Sequence, residues 1–189
     1  MSSNSWNQTL FVQQVDGPAL TAAAAASALV TGTAVVGQQK LILPANLLKV
    51  GDALRLRANG IISCVVTTPG TGRFDLRFGS AVVFDTGALN LNVVAKTNVP
   101  WFLDVELTVQ AIGTGTLAKL WAQGTFTSEA VVGSPLPTVG GNGVLNVPVS
   151  GLAQTGFDST VTNTIDVFFT QTVATGSMTL KQAKLVLET

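Results

Sequence analysis

The segment from Pro100 to Gly113 constrains the fold of this chain more than any other stretch. From Trp101 to Ala111 every second residue is apolar, and most of the residues between them, such as Asp104 and Glu106, are polar. Successive side chains of a β-strand point to opposite faces of the sheet, so this period of two is typical of a strand with one buried face. The segment therefore predicts a long, half-buried β-strand.

Similar alternation recurs along the chain. It appears in residues 54–57, 73–78 and 161–167, and residues 180–188 combine it with an expected bulge near Gln182 and Ala183. Glycine-containing turn signals separate the runs, at 68–72, 85–87, 113–115, 140–143 and 174–176. Short runs rich in Val, Thr, Phe and Ile between such turns are typical of all-β domains.

We therefore predict an all-β fold, an antiparallel jelly-roll-like β-sandwich over residues 9–189 that follows an N-terminal arm of residues 1–8. The first strand is expected near Thr9 to Val15. The alanine-rich tract from Ala22 to Leu29 fits a short helix and a strand equally well. One turn of helix is expected between Asn46 and Gly51.

Charge is scarce and balanced in this chain, with 10 Lys and Arg against 10 Asp and Glu, together 11% of the residues. Ordinary soluble domains carry about 25% charged residues. Two interpretations stay open: part of the surface is buried against other chains, or the surface is polar but uncharged. No basic stripe is present that would bind nucleic acid or an anionic membrane.

Signals for export or membrane insertion are weak. A secretory leader carries Lys or Arg before its apolar run, and none precedes the first apolar run here. The apolar stretch from Ala19 to Val36 is interrupted by Thr, Ser and Gly, unlike a membrane-spanning helix. Cys64 is the single cysteine, so an intrachain disulfide is excluded. These features predict synthesis in a reducing cytoplasm.

The chain has no histidine and no tyrosine, which excludes the usual Ser-His-Asp and Cys-His arrangements and every histidine-ligated metal site. Asp104 and Glu106 share one face of the long strand and could form a glycosidase-like pair, but a solvent-facing position explains them more simply. Arg73, Asp75 and Arg77 fit a surface ion ladder better than an anion site. We expect no enzyme activity, catalytic residue, cofactor or metal.

The sequence around the cysteine and around each tryptophan indicates whether that side chain is buried or exposed. Cys64 lies in an apolar run and is predicted to be a buried structural thiol. Trp101 is expected in the core, and the facing of Trp121 is ambiguous. Trp6, in the polar arm, either anchors into a neighbouring chain or folds back onto its own domain. The candidate assembly contacts are Trp6, Leu10 and Phe11.

Four stretches together resemble small jelly-roll structural proteins of tailed bacteriophage virions, among them head decoration and fibre proteins. They are LPANLLKVGDALRLRANGIIS (43–63), RFDLRFGSAVVFDTGA (73–88), AKTNVPWFLDVELTV (95–109) and GTFTSEAVVGSPLP (124–137). The resemblance implies a non-enzymatic virion protein, assembled in the host cytoplasm, that decorates or cements the capsid and stabilises the shell. Its implied partners are two further copies in a homotrimer and the major capsid protein or other virion proteins, with no direct contact to nucleic acid or membrane.

The resemblance also leaves an alternative, a receptor- or carbohydrate-binding fibre-head module. Such a module needs exposed aromatic or polar clusters on its loops, and the segment from Ser128 to Gly143 is the longest loop-like region of the chain.

Overall fold

The computed structural model describes residues 7–13, 15–29, 42–64, 68–132, 143–149, 156–174 and 176–188. Within these ranges the chain forms β-strands and turns, and none of the described residues is helical. The strands are β1 (Asn7–Val12), β2 (Ala25–Ser27), β3 (Ile42–Leu43), β4 (Ala53–Cys64), β5 (Thr71–Phe78), β6 (Ala81–Asp85), β7 (Leu89–Asn90), β8 (Lys96–Ala111), β9 (Lys119–Ser128), β10 (Val144–Val147), β11 (Asn163–Gln171) and β12 (Ser177–Glu188).

The strands form two antiparallel sheets. The first sheet has the order β1-β12-β4-β8-β9-β10. In the second sheet β11 and β5 pair at the centre, β2 and β3 pair with the free side of β11, and β6 and β7 pair with the free side of β5. The two sheets enclose one hydrophobic core, which confirms the predicted antiparallel β-sandwich.

Alternation along the strands of the first sheet separates the core from solvent. In β4 the inward positions run from Leu54 to Cys64 in steps of two, and in β8 they run from Trp101 to Val109. Gly60 of β4 lies opposite Trp101 in the register. A Cβ atom at Gly60 would lie 2.9 Å from the indole nitrogen and 2.0 Å from the Thr179 carbonyl oxygen, so only glycine fits beneath this ring.

Aromatic side chains join the two sheets across the core. The ring of Phe74, on β5, lies 4.7 Å from that of Trp101 on β8 and 5.3 Å from that of Phe126 on β9. It also lies 4.9 Å from Phe169 on β11, its neighbour in the second sheet. Tilted contacts at these separations stabilise aromatic pairs beyond the burial of their area. The prediction that Trp101 belongs to the core is confirmed.

Several local predictions can be compared with the strands. The long strand expected from Pro100 is β8, and it begins four residues earlier, at Lys96. The expected bulge near Gln182 is a register shift between Leu180 and Gln182, where β12 pairs with β4. In the alanine-rich tract the strand alternative is correct, because β2 spans Ala25–Ser27 and pairs with β11.

The helical turn expected between Asn46 and Gly51 is wrong. Asn46 has a φ of 58°, outside the right-handed helical region, and the segment forms turns instead. The carboxylate of Asp52 accepts a hydrogen bond of 2.8 Å from the backbone N–H of Lys49. A side chain that satisfies a nearby backbone N–H in this way competes with helix formation.

The first strand ties the two ends of the chain together. β1 begins at Asn7, inside the predicted arm, and pairs with the last strand from Asn7 opposite Glu188 to Val12 opposite Lys184. The chain passes from one sheet to the other between β1 and β2, β3 and β4, β4 and β5, β7 and β8, β10 and β11, and β11 and β12. The strand order establishes the sandwich, and the finer jelly-roll assignment stays a prediction from the sequence.

Candidate functional site

The outer face of the first sheet is a broad surface whose side chains can be placed by register. One row across it contains Arg57, Asp104, Thr125 and Asn146, and the next contains Arg55, Glu106 and Gln123. Directly opposite residues in neighbouring strands lie about 5 Å apart, so each row presents a line of adjacent side chains.

The centre of this outer face is an ion cluster. Arg55 donates two hydrogen bonds to the Asp104 carboxylate, at 3.1 and 2.9 Å, and Arg57 donates a third at 3.2 Å. The hydrogen bond from Arg55 is the main reason that the pKa of Asp104 lies below its usual range. A general acid at neutral pH needs a raised pKa, so this arrangement argues against Asp104 as the acid of a glycosidase-like pair.

Beside the ion cluster lies a hollow of about 410 Å³ on the strands β8, β9 and β10. Its lining consists of Glu106, Thr108, Trp121, Gln123, Gly124, Thr125 and Asn146. Trp121, whose facing the sequence left ambiguous, is on the solvent side and is 60% exposed. Because β10 pairs with β9 only from Gly124 to Thr127, Trp121 lies beyond the end of β10 in the register.

A second hollow, of about 200 Å³, lies on the other side of the ion cluster. It is formed by strands β1, β4 and β12, and its lining consists of Asn7, Thr9, Arg55, Arg57, Lys184, Val186 and Glu188. Both arginines here already bind Asp104, so part of the positive charge of this hollow is neutralised.

The predicted ion ladder lies on the outer face of the second sheet. Arg77 donates to the Asp75 carboxylate at 2.5 Å, and Arg73 pairs with Asp85 of β6 rather than with Asp75. Asp75 is only 2% exposed, so it is not a solvent-facing residue as a surface ladder would suggest. The Arg77 guanidinium also stacks on Phe168, 3.8 Å from the ring centroid.

Cys64 is a buried thiol, as predicted. It is 2% exposed, and its Sγ lies 3.4 Å from the carbonyl oxygen of Asn92, to which it donates. Burial raises the pKa of this thiol, so its reactive thiolate form is disfavoured at neutral pH.

Of the candidate assembly contacts, Trp6 lies outside the described residues. Leu10 and Phe11 are partly buried and pack against the core of their own chain, and Phe11 lies opposite Leu185 of β12. Their remaining exposed surface is at the edge of the first sheet, where β1 is the outermost strand.

A third surface lies at the end of the sandwich where β8 finishes and β9 begins. Four apolar side chains on loops are strongly exposed there: Val50 and Leu117 at 62%, and Ile112 and Val161 at 49%. We call these four residues the apolar end. The sequence did not single out these residues as a surface. Only Ile112 and Leu117 lie beside the glycine turn at 113–115, whereas Val161 begins an alternating run and Val50 precedes Gly51.

Hydrogen bonds hold the loops of the apolar end together. The Ser159 hydroxyl accepts a hydrogen bond from the backbone N–H of Gly113 at 2.9 Å, and the Ser159 carbonyl accepts one from Asn46 at 2.8 Å. The Asp158 carboxylate accepts from Gly115 at 2.8 Å. Hydrogen bonds from Thr160 and Gly115 lower the pKa of Asp158. The exposed apolar side chains are therefore carried on loops that hydrogen bonds connect to one another.

The described residues contain no group of three or more Cys, Asp or Glu side chains placed to hold a metal ion. No helix long and apolar enough to cross a membrane occurs among them. The segment from Ser128 to Gly143, where the fibre-head alternative would need its exposed aromatic or polar clusters, lies largely outside the described part.

Comparison of the chain with protein-family models, with curated proteins and with solved structures finds no match. The resemblance to phage jelly-roll proteins therefore stays a prediction from the sequence.

Proposed function

We propose that this chain is a non-enzymatic structural protein that acts by assembling with copies of itself on a virus particle. In this role it decorates or cements the capsid, and the major capsid protein or another virion protein is its second partner. The virus-particle part of the proposal is supported by the sequence resemblance alone. The assembly part is supported by the surface of the sandwich.

The observation that carries the assembly proposal is the apolar end. Val50, Ile112, Leu117 and Val161 expose aliphatic side chains on loops that are tied together by backbone and Ser159 hydrogen bonds. Exposed apolar side chains that are gathered at one end of a domain mark an interaction surface more often than singly scattered ones do. Because the loops are already ordered, association through them loses little conformational entropy.

A second copy of the chain is the occupant that the charge content favours. The formal net charge is zero and only 11% of residues are charged, so like copies repel one another weakly at close range. Copies arranged around a symmetry axis place the same end of each sandwich at the centre, as in the homotrimer that the resemblance implies. An oligomer that binds only the assembled shell then stabilises that shell by mass action.

The assembly proposal predicts that the purified chain is a multimer at micromolar concentration in light-scattering measurements. Replacing Val50 and Leu117 together by Glu places charge at the centre of the proposed contact and should give monomers, because the new carboxylates would have to be desolvated on association. The matched control is Val93→Glu, which changes a valine that is 42% exposed at the opposite end of the sandwich. This control should remain a multimer.

A wild-type chain that stays monomeric, or a double variant that associates as the wild type does, would contradict assembly through the apolar end. The particle part is tested separately. Mass spectrometry of particles produced by the genome that encodes the chain should detect it, and a cryo-EM map should place it at a fixed symmetry position on the shell. Its absence from purified particles would overturn that part.

A further inference from the structure

We propose that the hollow around Trp121 is a saccharide-binding site, which takes an uncharged sugar with its ring stacked on the indole. This inference does not depend on the proposed assembly, because it concerns the outer face of the first sheet and not the apolar end. It rests on the exposure of Trp121, on the chemistry of the lining, and on the contrast between the polar groups of the hollow and the hydrogen-bonded groups beside it.

Trp121 provides an exposed aromatic surface near the start of strand β9. It is 60% exposed and lies on β9 opposite Thr108 of β8, so its side chain is carried by a paired strand rather than by a loop. A tryptophan has a large apolar body and one N–H donor, which suits a ligand with both apolar and polar faces. The C–H groups on one face of a sugar ring supply such an apolar face.

The rest of the lining is made of uncharged hydrogen-bonding groups and one carboxylate. Thr108, Gln123, Thr125 and Asn146 offer hydroxyl and amide groups that can each donate and accept, as the hydroxyls of a sugar do. Glu106 adds an acceptor with two oxygens. The described residues of the lining include no Lys or Arg, and this argues against phosphate, nucleic acid or an acidic sugar as the occupant.

The polar groups of this hollow differ from their neighbours on the same face. Next to it, Arg55 and Arg57 are bound to Asp104, and Asn59 donates to Gln182 at 3.0 Å. By contrast, the side chains of Glu106, Gln123, Thr125 and Asn146 make no hydrogen bond to other described residues. Groups that are held on rigid strands and are not paired with one another remain available to bind a ligand.

Register also fixes the spacing of these groups. Gln123 lies opposite Glu106, and Thr125 lies between Asp104 and Asn146. Neighbours across strands are about 5 Å apart, and residues two apart along a strand are about 7 Å apart. The hollow thus presents a small grid of donors and acceptors beside one aromatic platform. Its volume of about 410 Å³ lies within the ordinary range for small-molecule sites.

The test begins with a glycan array that contains neutral and acidic oligosaccharides, including maltohexaose, cellohexaose, chitohexaose and an oligogalacturonate. We expect the wild-type chain to bind at least one neutral member, and calorimetry with that oligosaccharide gives its affinity. Trp121→Ala should weaken binding by about tenfold or more, the effect of losing one aromatic stack, while Trp121→Phe should retain part of it. Gln123→Ala should weaken binding to a smaller extent.

The control is Phe102→Ala, which removes another exposed aromatic from the same face, outside the lining of the hollow. It should bind as the wild type does. Circular dichroism and thermal melting should confirm that all variants are folded, as expected for exposed positions. The proposal is overturned if no saccharide on the array binds the wild type, if only acidic members bind, or if Trp121→Ala leaves the affinity unchanged.

Discussion

The outer faces of the two sheets both carry arginine–aspartate pairs, but they bury them to different extents. On the first sheet the Asp104 side chain is 22% exposed, and its partners Arg55 and Arg57 are 41% and 51% exposed. On the second sheet the Asp75 side chain is 1% exposed and Arg77 is 25% exposed. The first cluster is shared between two arginines across strands β4 and β8, whereas Asp75 and Arg77 lie two residues apart on one strand.

Because the two ion pairs are buried to different extents, similar arginine–aspartate patterns contribute differently to the stability of the fold. Exposed ion pairs contribute at most about 1 kcal/mol, because water already solvates both partners. A buried carboxylate that loses its partner is strongly destabilising, since the charge remains out of water. We therefore expect the first face to tolerate substitution, as a binding face can, and the second face to depend on its ion pair for stability.

The largest effect is expected from Arg77→Met. It leaves the buried carboxylate of Asp75 without its 2.5 Å partner and should lower the free energy of unfolding by about 2–3 kcal/mol. The matched variant Arg57→Met leaves Asp104 bound to Arg55 and should cost less than about 1 kcal/mol. Urea denaturation of both variants measures the difference, and equal losses would show that burial does not separate the two faces.

An intermediate effect is expected from Phe168→Leu. This change removes the ring on which Arg77 stacks at 3.8 Å and should cost about 1 kcal/mol. The comparison is Phe102→Leu on the first sheet, where the side chain is 39% exposed and the cost should be a few tenths of a kcal/mol. If Phe102→Leu is the more destabilising of the two, the stacking argument fails.

The smallest effect concerns pH and Asp104. Its pKa in the folded chain lies below the ordinary value of 3.8, mainly because Arg55 donates hydrogen bonds to it. A lowered pKa means that the carboxylate stabilises the fold above the unfolded value and that this contribution is lost as the pH falls through the folded value. The stability difference between the wild type and Asp104→Asn should be below about 1 kcal/mol at neutral pH and should shrink as the pH falls through the lowered pKa of the folded chain.

The carboxyl carbon resonance of Asp104 gives an independent measurement by NMR titration. Its midpoint should lie below 3.8, and it should move upward in Arg55→Met, which removes the largest cause of the shift. A midpoint at the ordinary value in the wild type would mean that the ion cluster is not formed in solution.

The sequence predicted the strands well where one face of the strand is buried and the other is exposed to solvent. The segments of β4, β5, β8 and β11 were all located from alternation, because a period of two is a direct consequence of strand geometry. Elements without that pattern were harder. The alanine-rich tract was ambiguous between helix and strand. The turn that begins at Asn46 was predicted as helix, because the hydrogen bond from the Lys49 N–H to the Asp52 carboxylate could not be foreseen.

The candidate surfaces were predicted less well than the strands. The sequence singled out Trp6, Leu10 and Phe11, of which the two described residues pack partly against their own core. It left the facing of Trp121 open, since the run around it mixes apolar residues on both sides. Three loops distant in sequence supply the apolar end, and no local pattern brings such residues together.

By itself, the sequence determined that the chain is an antiparallel β-sandwich with few charges and without the histidine that most catalytic sites use. These are properties of local periodicity and composition, which do not require knowledge of which strands are neighbours. Tertiary structure alone decided that Trp121 faces solvent beside polar side chains that make no hydrogen bond to other described residues, and that Asp75 is buried. Both depend on strand register and on packing across the sheets, where residues far apart in the chain become adjacent.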